Sequence, residues 1–234
     1  MSNDLARLVQ SKYKDRIFSI ASPMPEKTDY RFNICLIEFV TQNINLFEMR
    51  LNQAVSSRIC MNRNNIVANA RAMGCTDILW VDADTKFPIN GMLKLLTHDK
   101  DIVGATTCAR DGNGAPIGTA LNPDVQATII KMKLLGFPFM LTKMRVFDKM
   151  DELWPERKGC YFAEVPRWKF PEMDVVADPL VGEDEYFCYY AREAGFDVWC
   201  DMELSVEIGH IGSAINYISA ENTIPTEAMV EERL

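Results

Sequence analysis

The stretch Ile78-Leu79-Trp80-Val81-Asp82-Ala83-Asp84 runs from four apolar residues into two carboxylates spaced i, i+2. The apolar run reads as a buried strand. Its end delivers both acids to the carboxyl edge of a sheet, where open α/β folds bind ligands. Two carboxylates at one strand end repel each other unless a cation or a shared proton offsets them. A hard divalent metal holding a phosphorylated ligand is the economical explanation. Asp-x-Asp alone is a weak signal, because many strands end in acidic turns. A second acidic group, Gly182-Glu183-Asp184-Glu185, opens a helix, where acids suit the positive end of the dipole. Either Glu183 or Asp184 can also project into a cleft as a general base. His210, one of only two histidines, is flanked by Gly209 and Gly212. Imidazole suits a borderline metal such as Mn²⁺, so His210 joins Asp82 and Asp84 as a candidate ligand. The other histidine, His98, follows an amphipathic helix and reads as a surface C-cap residue.

These groups need a scaffold, and the pattern supplies one. Residues Arg16 to Ser22 read as a first strand that ends in the loop Pro23-Met24-Pro25. Tyr30 to Asn43 is amphipathic and helical. A strand near Leu46 to Leu51, a polar stretch Asn52 to Asn62 and a helix from Arg63 to Met73 follow, with Gly74 as C-cap. After the Asp82/Asp84 strand come a helix over Ile89 to Leu96 and a strand over Asp101 to Thr106. Alternating strands and helices argue for an α/β domain with a mostly parallel central sheet flanked by helices. Beyond a turn at Asp111 to Gly114 the pattern becomes mixed. Strands are expected over Ala127 to Met132 and Phe139 to Thr142, and a helix over Met144 to Leu153. Trp154 to Pro179 is irregular, with four prolines. A helix over Glu183 to Ala194 and a strand over Asp197 to Cys200 complete the series.

The chain has 234 residues, 48% of them apolar, enough for one large α/β domain with a full core. One catalytic domain over residues 1–217 is the expected organisation, with a nucleotide half at about 14–110 and an acceptor half at about 111–217. A polar, acidic tail occupies 218–234. The net charge of −8 argues against a generic nucleic-acid coat, though not against a local basic groove. Seven scattered cysteines without a CxxC pair fit a reducing cytosol better than disulfides or zinc. The N-terminus lacks a signal-peptide core and no apolar run reaches membrane-spanning length. A cytoplasmic protein that makes no use of a membrane is the expectation; oligomeric state is unreadable.

The order Asp82-Ala83-Asp84, Asp101-Ile102-Val103-Gly104, Gly182-Glu183-Asp184-Glu185 through Gly195-Phe196, Asp197 to Asp201, and Gly209-His210-Ile211-Gly212 resembles A-type-fold, family-2-like glycosyltransferases. The resemblance is particularly to the small soluble members found in phage genomes. The resemblance covers Arg16 to Gly212, and the Glu-Asp helix with its downstream Gly-His is its most specific part. It implies that Asp84 and His210 bind the metal, Mn²⁺ or Mg²⁺, and that Asp82 contacts the ribose or binds the metal through water. It implies Asp184 as the base that deprotonates the acceptor hydroxyl, with Glu183 as rival. Ser22 and Glu26 would lie near the nucleotide base, with Arg63 and Asn64 close to the nucleotide. Arg58 is a candidate for the diphosphate, and Arg110 for the sugar. The donor would be a nucleoside diphosphate sugar, UDP-glucose or a related UDP-sugar, and transfer would invert the anomeric carbon.

The acceptor is open. Between Val125 and Phe170 nine basic residues face five acids, so the segment is net +4 and the remainder −12. Aromatic residues are interleaved, among them Trp154, Trp168 and Phe170. Basic residues mixed with aromatics suit a polyanion carrying bases, and a hydroxymethylated pyrimidine in duplex DNA is one candidate. Transfer to a saccharide or protein hydroxyl is the competing reading. A nucleotidyltransferase ranks lower, because Ser22-Pro23-Met24-Pro25-Glu26-Lys27 lacks the glycines of a phosphate loop. A non-catalytic nucleotide-sugar-binding module is the third class.

Overall fold

The computed structural model describes residues 9, 11–109, 114–121, 127–169 and 179–219. Two β-α units precede the strand that ends in the acidic turn, and a helix and a strand follow it. They are β1 (Ile17–Met24), α1 (Tyr30–Asn43), β2 (Glu48–Val55), α2 (Ile59–Ala72), β3 (Asp77–Val81), β4 (Thr85–Lys86), α3 (Gly91–Thr97) and β5 (Ile102–Ala105). A second stretch adds β6 (Gly118–Ala120), β7 (Ile129–Leu135), β8 (Phe139–Lys143), α4 (Met144–Leu153), β9 (Val165–Pro166) and β10 (Leu180–Val181). The last elements are α5 (Glu183–Glu193), β11 (Val198–Asp201), α6 (Met202–Ser205), β12 (Gly209–Ile211) and β13 (Ile215–Asn216).

The main sheet has eight strands in the order β2-β1-β3-β8-β5-β11-β7-β6. β7 and β8 run against the other six, so the sheet is mixed and mostly parallel, as the alternation of elements implies. Alternate residues of β3 face opposite cores. Ile78 and Trp80 pack with Ile66, Phe147 and Phe187 under α2, α4 and α5. Leu79 and Val81 pack with Phe32, Phe39 and Leu93 under α1 and α3. Burial on both faces explains why this strand reads as an unbroken apolar run.

Several boundaries move. β1 continues through Pro23 and Met24, which pair with Ala54 and Val55 of β2. β3 accompanies β1 only as far as Ala21, so the missing N–H of Pro23 lies where the strand has one neighbour. β2 accordingly extends to Val55, and α2 begins at Ile59, four residues before the expected start. Asn62 and Arg63 are buried on the inner face of α2, so polar residues occupy positions where amphipathic periodicity looks for apolar ones. β7 ends at Leu135 rather than Met132. The Asp111–Gly114 turn, except Gly114, and most of the acidic tail lie outside the described residues.

Candidate functional site

The acidic turn is built by hydrogen bonds at the end of β3. Asp82 N–H donates to Pro138 O at 3.2 Å, and Thr85 N–H donates back to Asp82 O at 3.0 Å. The reversal sends β4 into a small sheet with β12, pairing Thr85 with His210. Ile211 N–H closes the arrangement on Asp84 O at 2.7 Å. His210 thereby reaches Asp84, with Nε2 3.3 Å from Oδ2. Its Nδ1 lies 2.9 Å from Cys108 O. A carbonyl only accepts, so Nδ1 carries the proton, and in the neutral ring Nε2 aims a lone pair at a carboxylate oxygen. Two lone pairs at that distance suit a cation between them, and the Cys108 carbonyl fixes the ring as outer partners of metal ligands do.

Asp82 is oriented differently. Its Oδ1 accepts from Arg63 Nη2 at 3.1 Å. Arg63 Nε is 3.5 Å from Glu183 Oε1, so one guanidinium joins the end of β3 to the start of α5. The guanidinium is buried among Phe137, Phe162 and Trp80, its carbon 4.5, 5.8 and 5.9 Å from their ring centres. Among the described residues no group of three or more His, Cys, Asp or Glu side chains converges as a metal cage. Asp84 and His210 come together, whereas Asp82 is engaged by Arg63. Two protein ligands fit a divalent cation that takes the rest of its shell from water and substrate phosphate.

Gly182 caps α5, and Asp184 Oδ1 accepts the Glu185 N–H at 2.8 Å. The carboxylate nestles against glycines. A methyl group on Gly182 would stand 3.1 Å from Asp184 Oδ1, and one on Gly136 would stand 3.7 Å from Oδ2. Burial, then the neighbouring Glu183 charge, pushes the Asp184 carboxyl up to about 6. Burial also raises Asp82 to about 6; Arg63 opposes the shift while Asp84, Glu183 and Asp184 add to it. A quarter of the Asp82 side chain still meets the cleft, which moderates the effect. Groups titrating this near neutrality in a cleft mark candidate proton-transfer sites.

Two cavities meet at this turn. The outer one, about 480 Å³, lies at the ends of β1 and β2 and is lined by Pro23, Met24, Lys27, Asp29, Ser57, Asn62 and neighbours. The inner one, about 230 Å³, is lined by Arg63, Thr106, Thr107, Phe137, Glu183, Asp184 and His210. Ile59, Asp82 and Asp84 border both. Ser22 lines neither cavity; it is buried near the end of β1, with no partner for its Oγ. Glu26 is exposed on the loop beyond, and Arg58 is exposed at the cap of α2. Asn64 points elsewhere: its Oδ1 accepts the Tyr161 and Phe162 N–H groups at 2.9 and 3.1 Å, and its Nδ2 donates to Phe162 O at 2.8 Å. Arg110 lies outside the described residues. Sequence reasoning missed Asn62 and Thr107, each with a buried side-chain oxygen lacking a partner at a cavity wall. Their residue types carry no motif that would have marked them.

No family model matches the sequence, and no curated protein matches it. Among solved structures, A197 from STIV aligns with a TM-score of 0.51 over 89% of this chain and 96% of that one, at 11% identity. The chain has an A-type, glycosyltransferase-like fold. A glycosyltransferase involved in glycosylation of the major capsid of PBCV-1 gives 0.36 at 13% identity, covering 67% of this chain and 70% of that one. A putative glucose-1-phosphate thymidylyltransferase from Bacillus anthracis gives 0.42 at 11% identity, covering 82% and 92%. At these identities the likeness is one of fold.

In this A-type fold the cleft lies at the carboxyl ends of β1, β3 and β5. Much of the basic segment lies elsewhere. Lys143 and Arg145 reach Asp99 and Asp101 at the opposite edge of the sheet. Lys131 pairs with Asp197, Lys149 with Glu152, Arg157 with Glu156 and Arg167 with Glu185. Among the described residues, six of the nine basic side chains are thus paired with acids. Phe137, Phe139, Phe147, Tyr161 and Phe162 are buried core. His98 does cap α3, but its Nε2 also lies 2.8 Å from buried Asp201, so it is a packed rather than a surface residue. Among the described residues no helix is long and apolar enough to cross a membrane.

Proposed function

We propose that the protein is a divalent-cation-dependent glycosyltransferase that moves a sugar from a nucleoside diphosphate sugar, UDP-glucose or a related UDP-sugar, to an acceptor hydroxyl. The observation that carries this reading is the pairing of two cavities across one acidic turn. Asp84, His210 and Asp184 all line the inner cavity, Asp184 from the first turn of α5. The outer cavity has room for a nucleoside, with Asn62 on its wall carrying a side-chain oxygen without a protein partner. The inner one has room for a single sugar ring.

Asp84 and His210 would hold Mn²⁺ or Mg²⁺, which neutralises charge growing on the departing diphosphate. Asp184 accepts the proton of the incoming hydroxyl, a contribution typically worth about 10²–10⁴-fold. Its carboxylate form is available above about pH 6. Arg63 holds Asp82 and Glu183 by direct contact, whereas its charge reaches Asp184 only through space. A base facing the donor's far side gives inversion at the anomeric carbon.

The test is release of UDP from UDP-glucose with Mn²⁺, alone, with a panel of saccharide acceptors, and with duplex DNA with or without hydroxymethylcytosine. Release that requires the cation and is lost in Asp184→Asn supports the reading. Binding of UDP-glucose with no release in any arm, or release of pyrophosphate from a sugar phosphate and UTP, would sink it. Stimulation by the modified DNA alone would assign the acceptor to nucleic acid.

A further inference from the structure

Trp168 has 77% of its surface exposed, more than any other large apolar side chain among the described residues. An indole presents a broad apolar face, and keeping it in water forfeits the burial that such a residue usually gains. Yet the backbone that carries it is firmly held. Val165 and Pro166 pair with Val181 and Leu180. Arg167 N–H donates to Pro179 O at 2.9 Å. The Arg167 side chain forks onto Glu185, Nη1 to Oε1 and Nη2 to Oε2, both at 2.8 Å, and Nη2 also reaches Leu180 O at 2.8 Å. Such a two-bond guanidinium–carboxylate contact fixes direction as well as distance. Glu185 stands in the first turn of α5, next to Asp184. The exposed ring is therefore tied through one side chain to the helix tip that carries the candidate base.

We infer that Trp168 is the acceptor platform, on which a pyranose ring of a saccharide acceptor stacks so that its hydroxyl meets Asp184. This inference rests on the transferase reading and narrows it. The π face is electron-rich, and the C–H bonds on one face of a pyranose carry the partial positive charge that packs against it. A nucleic acid would need a track of free cations beside the ring to follow its backbone. Arg167 is instead committed to Glu185, and most basic residues of this segment are paired.

The experiment is a glycan array probed with labelled wild-type protein, Trp168→Phe and Trp168→Ala in UDP and Mn²⁺, with UDP binding measured on each by calorimetry. Wild type is expected to bind pyranose-terminated glycans, Trp168→Phe to lose less than threefold, and Trp168→Ala to lose at least tenfold. UDP affinity should be equal in all three, which shows that the variants are folded. Glycan binding that survives in Trp168→Ala overturns the platform. So does a wild type that binds no glycan, or one that binds only hydroxymethylcytosine oligonucleotides. Failure of wild type to bind UDP overturns the donor-site reading separately, since ring-dependent glycan binding is scored without it.

Discussion

Asp82 and Asp184 both titrate near pH 6 in the folded chain, against 3.8 for the free carboxyl. A carboxyl whose pKa rises on folding binds its proton more tightly in the native state. Stability is therefore fullest below about pH 4 and is lost as pH climbs through about 6. Without divalent cation, the protein is expected to be more resistant to urea at pH 5 than at pH 7.5. Asp82→Asn should flatten that dependence and gain about 1–2 kcal/mol at pH 7.5, an order-of-magnitude figure set by the two-unit shift and by water in the cleft. A stability that rises from pH 5 to 7.5 would contradict the assignment. Arg63 gives the opposite expectation. Its removal leaves Asp82 and Glu183 without their shared counter-charge, so Arg63→Met should cost about 3–5 kcal/mol in urea unfolding. An arginine that only touched a soluble diphosphate would cost far less when unliganded.

The elements divide between those whose pattern is self-evident and those bent to the site. α1 and α4 occupy the expected residues, because each buries one apolar stripe on the sheet. α2 was harder to read, since its inner face carries Asn62 and Arg63 toward the cavities and Asn64 toward the 161–162 loop. Asn64→Ala should therefore lose stability, about 2–3 kcal/mol for three hydrogen bonds, with UDP affinity unchanged within twofold. A large loss of UDP affinity at full stability would return Asn64 to the nucleotide. The acids of the β3 turn and the start of α5 were legible because each stands at the end of an element whose apolar pattern is clear, although neither motif is specific alone. The partner of each acid was not, because Arg63 bridging Asp82 to Glu183 joins residues far apart in sequence. At the tip of α5, Gly182→Ala has an ordinary φ of −69° but brings a methyl to 3.1 Å from Asp184 Oδ1. Turnover is expected to fall at least tenfold while the melting temperature moves only a few degrees. Equal turnover would mean that the carboxylate position is not critical.

For the whole molecule, the inner cavity is lined by four carboxylates, Asp82, Asp84, Glu183 and Asp184, and by the Arg63 guanidinium. That field opposes an anionic ligand. UDP alone should bind at least tenfold more weakly than UDP with Mn²⁺, and the two together should raise the melting temperature more than either alone. Identical UDP affinity with and without the cation would remove the Asp84–His210 pair from the binding scheme. The eight-stranded order has an outcome of a different kind. β8 (Phe139–Lys143) enters the chain late, yet it is the strand seated between β3 and β5. Residues 1–110 made alone would leave those two strands with an unfilled gap at the centre of the sheet. The nucleotide half is thus not an independent folding unit, and the chain should unfold in one cooperative step. Pairing across so much intervening sequence also makes folding slow. A ribosome must release the chain through Lys143, well past the outer-cavity residues 23–84, before the sheet beneath that cavity can close.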